Sequence, residues 1–273
     1  MNKTLLALAS TLAVAALPQL AQAQAAAPAP AASAPAPAAP EASPLSFNVG
    51  LTSDYRYRGI SQTRLKPAIQ GGADYAFASG FYVGTWASTI KWIKDAETAA
   101  GVDAKGSVEW DLYGGYKGEI AKDLSYDVGV LSYVYPSNKY ADIPGAANAN
   151  TTEIYGALTY GPATLKYSHS VTNLFGFADS KNSGYLDLSA TFEVGPAIQL
   201  IPHVGYQRVA HYSDFSYTDY SFTVGKDFSG FFLSAAIVGT DTKTINGVKA
   251  YASPNNGKDL GKAALVVAVK KTF

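Results

Sequence analysis

The chain has 273 residues, a formal net charge of zero and no cysteine. Balanced charge speaks against a nucleic-acid binder, which carries a basic excess or patch. Without thiols there is neither a disulfide framework nor a thiolate metal site. With 19 Tyr, 12 Phe and 25 Gly but only 15% charged residues, the composition suits strands, tight turns and aromatic belts rather than a helical domain.

The first element reads as a secretory leader over residues 1–23. Lys3 supplies a positive start, Leu5 to Leu17 is an apolar run too short to span a bilayer as a helix, and Ala21-Gln22-Ala23 is a small-x-small cleavage site. Residues 24–44 are almost all Ala, Pro and Ser. They lack large apolar side chains and read as a disordered, partly polyproline periplasmic spacer.

From residue 45 to 273 the dominant period is two, the mark of half-buried strands. In the first strand Phe47, Val49, Leu51, Tyr55 and Tyr57 share one parity, and Asn48, Gly50, Thr52, Asp54, Arg56 and Arg58 share the other. The pattern predicts one strand running through Arg58, with Gly59 opening the first external loop. Later segments repeat the alternation: Val108, Trp110 and Leu112 against Glu109 and Asp111; Leu124, Tyr126 and Val128 against Asp127; Leu186, Leu188 and Phe192 against Asp187 and Glu193; Leu265, Val267, Val269 and Phe273 along the last strand. Alternating segments of about ten residues, separated by turn residues, mark a transmembrane barrel.

The breaks switch between tight ones (Ala78-Ser79-Gly80, Gly118 to Asp123, Gly161-Pro162, Gly195-Pro196, Asp227 to Gly230) and long polar ones (Gly59 to Lys66, Ile93 to Lys105, Pro136 to Thr151, Asn173 to Ser183, Val209 to Asp214, Asp241 to Gly261). Short turns on one rim and long loops on the other predict an all-β, antiparallel up-and-down barrel of about 12 strands. An even strand number puts both termini on the short-turn, periplasmic side. Two places fit poorly. Pro202 falls inside a candidate strand and calls for a bulge or a later start, and the parity of Phe81 to Trp92 is ambiguous.

The stretches "LTSDYRYRGISQ" (51–62) and "KPAIQGGADYAFASGFYVGTWAS" (66–88) resemble the opening of the TorF-type porin family, bacterial proteins of undefined function. The resemblance implies an outer-membrane barrel and supplies no substrate. The end of the chain is similar to the insertion signal that the outer-membrane assembly machinery reads. Phe273, Val269, Val267 and Leu265 match that signal and Lys271 departs from it.

Parity assigns pore-lining candidates: Asp54, Arg56, Arg58, Gln70, Asp74, Glu109, Asp111, Lys117, Asp127, Glu153, Lys166, Asp187 and Glu193, with Gln199, His203, Gln207 and Asp219 on the same face. A charged side chain facing lipid at mid-membrane costs about 2–4 kcal/mol for Arg or Lys, so these groups have reason to face inward. They line a water-filled pore for small polar solutes or ions, the excess of acids favouring cations, or else a lumen closed by ion pairs of Arg56 and Arg58 with Asp54, Asp74 or neighbours. Tyr55, Tyr57, Trp110, Tyr126 and Phe273 are candidates for the aromatic girdles among outer-membrane lipids.

An enzyme, a lipid hydrolase above all, is the alternative. In "YSHS" (167–170) His169 sits beside Ser168 and Ser170, but neighbours along a strand point to opposite faces, so His169 activates neither. His203 and His211 are too far apart along a strand for one metal ion. No cofactor is expected. Lys91, Trp92 and Lys94 read as a surface cluster at a rim. A closed structural or adhesive barrel, with residues 136–151 and 241–261 binding an outside partner, is the third reading.

Overall fold

A computed structural model describes residues 43–273. The predicted leader and, apart from Ser43 and Pro44, the spacer lie outside the described residues. Twelve strands form the barrel. They are β1 (Leu45–Thr52), β2 (Ala68–Ala76), β3 (Phe81–Thr89), β4 (Val108–Ala121), β5 (Leu124–Val134), β6 (Thr151–Tyr160), β7 (Ala163–Ser170), β8 (Gly184–Ala190, continued by Phe192–Glu193), β9 (Ile198–Arg208), β10 (Tyr217–Phe228), β11 (Phe231–Thr240) and β12 (Ala264–Thr272). Each pairs antiparallel with its sequence neighbours, and β1 closes the barrel on β12, Asn48 opposite Thr272 through Thr52 opposite Ala268. Closure leaves no unpaired edge, which a sheet in lipid requires.

Alternation now has a physical meaning. Outward side chains such as Phe47 (50% exposed), Leu51 (54%) and Ile69 (61%) form an apolar outer surface, while inward ones such as Glu109 (1%) and Tyr82 (3%) are buried. An outer face of this kind is stable against hydrocarbon and not against water. Among the described residues no helix is long and apolar enough to cross a membrane. The ambiguous stretch resolves as one alternation over Phe81–Thr89, Tyr82 and Trp86 inward and Phe81 and Val83 outward, and Trp92 lies beyond the strand end.

Short turns and long loops alternate as the sequence predicts. The two ends of the barrel domain meet at the short-turn rim, where Phe47 and Phe273 exchange backbone hydrogen bonds of 3.2 and 2.8 Å. Lys271 points outward there, its ammonium 3.3 Å from the Ser229 carbonyl and over the Phe231 ring. A long apolar stem carrying its charge to a polar turn is how lysine tolerates such a position.

Two expectations are corrected. Pro202 causes neither a bulge nor a late start: β9 runs through it and pairs it with Phe222 of β10. The cost falls on the other side. There β8 pairs Ser189 with His203 and Phe192 with Leu200, and the ladder lapses at Ala190 and Thr191 between them without a change of register. Proline has no N–H to give that ladder. The second correction is larger: β1 ends at Thr52, not Arg58.

Candidate functional site

At Ser53 the chain leaves the barrel wall and folds into the lumen. Arg56–Tyr57 pairs with Ile60–Ser61 as a miniature hairpin. Its turn residues, Arg58 (φ 46°) and Gly59 (φ 79°), both have positive φ, the requirement of the tightest hairpin turn. Gly59 is also needed for space. A Cβ there would stand 2.8 Å from Asp219 Cβ and 3.1 Å from the Gly239 carbonyl oxygen, so the turn presses on β10 and β11.

Asp54 organises the hairpin. Its carboxylate accepts from Arg56 Nε at 2.8 Å, Ser61 Oγ at 2.5 Å and Thr63 Oγ1 at 3.1 Å. Arg56, fully buried, also donates to the carbonyl of Lys262 at 2.8 Å. Arg58 crosses to two walls: Nη2 meets Glu153 Oε2 of β6 at 2.7 Å, and Nη1 meets Gln207 Oε1 of β9 at 2.5 Å. Tyr55 donates to Glu109 of β4, and Tyr57 Oη to Tyr133 Oη of β5 at 2.9 Å. Strands β4, β5, β6 and β9 are not neighbours of β1. These bonds therefore span the lumen, and the hairpin is a plug tied across it.

The expectation that Tyr55 and Tyr57 sit in a membrane girdle is thus overturned: both are buried inside, 1% and 8% exposed. Parity failed because it was carried past the true strand end. Gly59 does not open an external loop but turns the plug. Trp110 and Phe273 are exposed on the outside, and Tyr126 is half-buried near the short turns.

The remaining candidates divide. Glu109, Asp111, Glu153 and Asp187 are buried inside the barrel near the plug. Asp111 leaves both carboxylate oxygens, and Glu153 leaves Oε1, buried without a protein hydrogen bond. Towards the long-loop end of β2, Gln70 donates to Ser88 Oγ at 3.3 Å. Nearer the short turns Asp74 accepts from Tyr113 Oη at 2.5 Å and Asp127 from Tyr82 Oη at 2.6 Å. Lys117 and Lys166 lie over the rings of Tyr82 and Tyr155. Glu193 is the exception, exposed at the short-turn rim where the strand outlasts the enclosed lumen. His203 bonds Asp187 at 2.7 Å, while His211 lies exposed against Asp179. His169 meets Tyr167 and Asn182, at 3.3 and 3.2 Å, and is hydrogen-bonded to neither adjacent serine.

Sequence reading missed the inward tyrosines. Tyr82 lies over Gly115 and Tyr155 over Gly129: a Cβ on Gly129 would stand 2.5 Å from Tyr155 Oη and 2.6 Å from the Gly114 carbonyl. The signal was present as Tyr and Gly on facing register positions, where an aromatic ring covers the bare backbone of its neighbour.

It also missed the mouth. All six long loops line one cavity of about 440 Å³. The first loop gives Tyr57, Ile60, Ser61 and Gln62; helix α1 (Trp92–Ala99) gives Trp92 and Ala96; later loops give Tyr135, Tyr140, Leu174, Phe175, Phe177, Phe215 and Tyr251. Trp92 belongs to this lining rather than to a surface cluster. Buried Glu97 ties the loops by accepting from the backbone N–H of Lys105 at 2.7 Å and of Lys139 at 2.5 Å. The Gln62 carbonyl accepts from Lys91 and Trp92 N–H at the start of α1. Burial raises the phenol pKa of Tyr140, with Glu97 adding to it, and burial likewise raises that of Tyr251. Both rings therefore stay uncharged at neutral pH.

Residues 36–273 match the family described as bacterial protein of unknown function, Gcw_chp. The chain belongs to this family. The TorF-type name that the opening residues suggest is not the one this match carries. No curated protein matches the chain. Among solved structures it is similar to the KdgM porin (TM-score 0.50, 8% identity, 84% of this chain and 98% of the other). It is also similar to the NanC porin (0.49, 9%, 84% and 98%) and to LpxR from Salmonella typhimurium (0.42, 11%, 84% and 99%). At these identities the likeness speaks for the fold alone. In this Gcw_chp member the Ser53-Asp54-Tyr55-Arg56 signature is the framework of the plug.

Proposed function

We propose that the protein is an outer-membrane channel through which small polar solutes or ions diffuse, narrowed by its own first loop. The observation that supports this reading is the contrast between an apolar outer face and an inner face of hydrogen-bonded charge inside a closed barrel. The plug fixes the constriction where Arg58 reaches Glu153 and Gln207. Inward Asp74, Glu109, Asp111, Asp127, Glu153, Asp187 and Asp219 outweigh Arg56, Arg58, Lys117, Lys166 and Lys270, so the route prefers cations. The long loops face the cell exterior, both termini the periplasm, and the exposed rings of Trp110 and Phe273, with half-buried Tyr126, sit at the two membrane interfaces among the lipids. The leader directs secretion, and the last strand ending in Phe273 engages the assembly machinery.

The test is conduction. Folded protein in planar bilayers under a salt gradient gives discrete steps and a reversal potential on the cation side. Asp111→Asn moves that potential toward zero. Silence from membranes that demonstrably contain folded barrel overturns the reading. An unchanged potential in Asp111→Asn removes that carboxylate from the route.

A further inference from the structure

We propose that the cavity at the long-loop mouth is a binding site for an uncharged, ring-bearing small molecule that offers Trp92 a hydrogen-bond acceptor, an aryl ketone being the simplest probe. The cavity volume of about 440 Å³ falls within the ~300–1,000 Å³ typical of small-molecule sites. No Asp, Glu, Lys or Arg lines it. An ionised ligand would be stripped of water there with no counter-charge, at prohibitive cost.

The polar atoms of the wall narrow the class further. Tyr57 Oη bonds Tyr133, Tyr135 Oη bonds Glu109, and Tyr251 Oη bonds the Phe215 carbonyl. Gln62 Nε2 bonds the Ile60 carbonyl, and Gln207 is held by Arg58 and by backbone carbonyls. A sugar needs many partners for its hydroxyls, and most of the wall's polar side chains are engaged within the protein; the Tyr140 and Tyr217 hydroxyls are two further groups beside the cavity. Among them the indole N–H of Trp92 is a buried donor with no partner in the protein. A buried donor without an acceptor carries a desolvation cost that a ligand carbonyl would relieve. Around it the Trp92 ring packs edge-on against Tyr135 and Tyr140, and Tyr57 against Phe175, with centroid separations of 5.2–5.4 Å. Such walls accept another ring by the same geometry.

This site depends on the loops and not on conduction, so a silent bilayer leaves it standing. Calorimetry on the full chain in lipid nanodiscs, with empty nanodiscs subtracted, tests it with 2-acetonaphthone. One-to-one saturable binding is expected. Trp92→Phe keeps a ring but removes the donor, and should weaken the ketone about fivefold, the equivalent of one hydrogen bond of ~1 kcal/mol. The same variant should bind 2-methylnaphthalene, which has no acceptor, as the parent does. Ala96→Trp or, from a different loop, Ala250→Trp fills the cavity and should abolish binding of both probes. A gel-mobility shift on heating verifies that each variant forms the barrel, and either filling variant suffices. Absence of saturable ketone binding overturns the proposal. So does equal ketone affinity in Trp92→Phe, or tighter binding of maltose or 2-naphthoate than of the ketone.

Discussion

The barrel interior around the plug and the mouth outside it are built from one chain by opposite rules. The interior is crowded with ionisable side chains, brought to the inner face by strand parity or, for Asp54, Arg56 and Arg58, by the hairpin, and several of them are paired, as Arg58 is with Glu153. The mouth carries no charged lining residue and is walled by rings delivered from six separate loops. The hairpin at 56–61 is the partition: Asp54, Arg56 and Arg58 bond to each other and to the walls, while Tyr57 and Ile60 line the mouth. A closed sheet can thus decide which residues face inward. Only the folding of a loop across the lumen decides what they meet.

The sharpest way to break this division is to release the partition. Asp54→Ala leaves Arg56 buried without its carboxylate, and breaking a buried pair from one side costs about 3–5 kcal/mol. Urea unfolding in vesicles should show that loss, and a protease added from the loop side should cut within 53–63. Single-channel conductance should rise in the same variant. Unaltered stability and conductance together would mean that the hairpin is not tied by Asp54.

A smaller effect isolates the bridge. Arg58→Ala strands Glu153, and Glu153→Gln strands Arg58, but the double variant removes both charges. A double-mutant cycle should therefore give a coupling of about 0.5–3 kcal/mol, with the reversal potential moving toward cations in Arg58→Ala alone. Additive stabilities would deny that the two side chains meet. On the strand side Gly129→Ala should cost about 1–3 kcal/mol by driving a methyl into Tyr155 and the Gly114 carbonyl. A neutral result would show that the ring moves aside freely.

Strand number, turn and loop alternation and the inward face of Glu109, Asp111, Asp127, Glu153 and Asp187 were legible because each follows from period two, which needs no knowledge of distant residues. The plug was not. "DYRYRG" alternates as well as any strand, and what ends β1 is tertiary: the ladder to β12 stops at Thr52, and Asp54 finds Ser61 and Thr63 seven and nine residues on. A local sign did exist, since Arg-Gly between short pairing stretches permits a tight turn, yet arginine is an uncommon residue at positive φ. Aromatics in the loops were unreadable for a related reason. Trp92, Phe175 and Tyr251 become neighbours of one cavity only after six loops converge, and no spacing encodes that.

Tyr57 belongs to both regions and yields the finest test of the division. Its hydroxyl faces the polar network, donating to Tyr133, which itself lies 3.3 Å from Glu153, while the residue also lines the mouth. Tyr57→Phe removes the first role and spares the second. Stability should fall by about 1 kcal/mol, the net worth of one buried hydrogen bond, as read by urea unfolding. Affinity for 2-acetonaphthone in the same variant should not change. If ketone affinity falls while stability holds, the hydroxyl serves the mouth and the boundary lies deeper, at Tyr133. If both fall together, the two regions are mechanically one, and the plug is the floor on which the mouth is assembled.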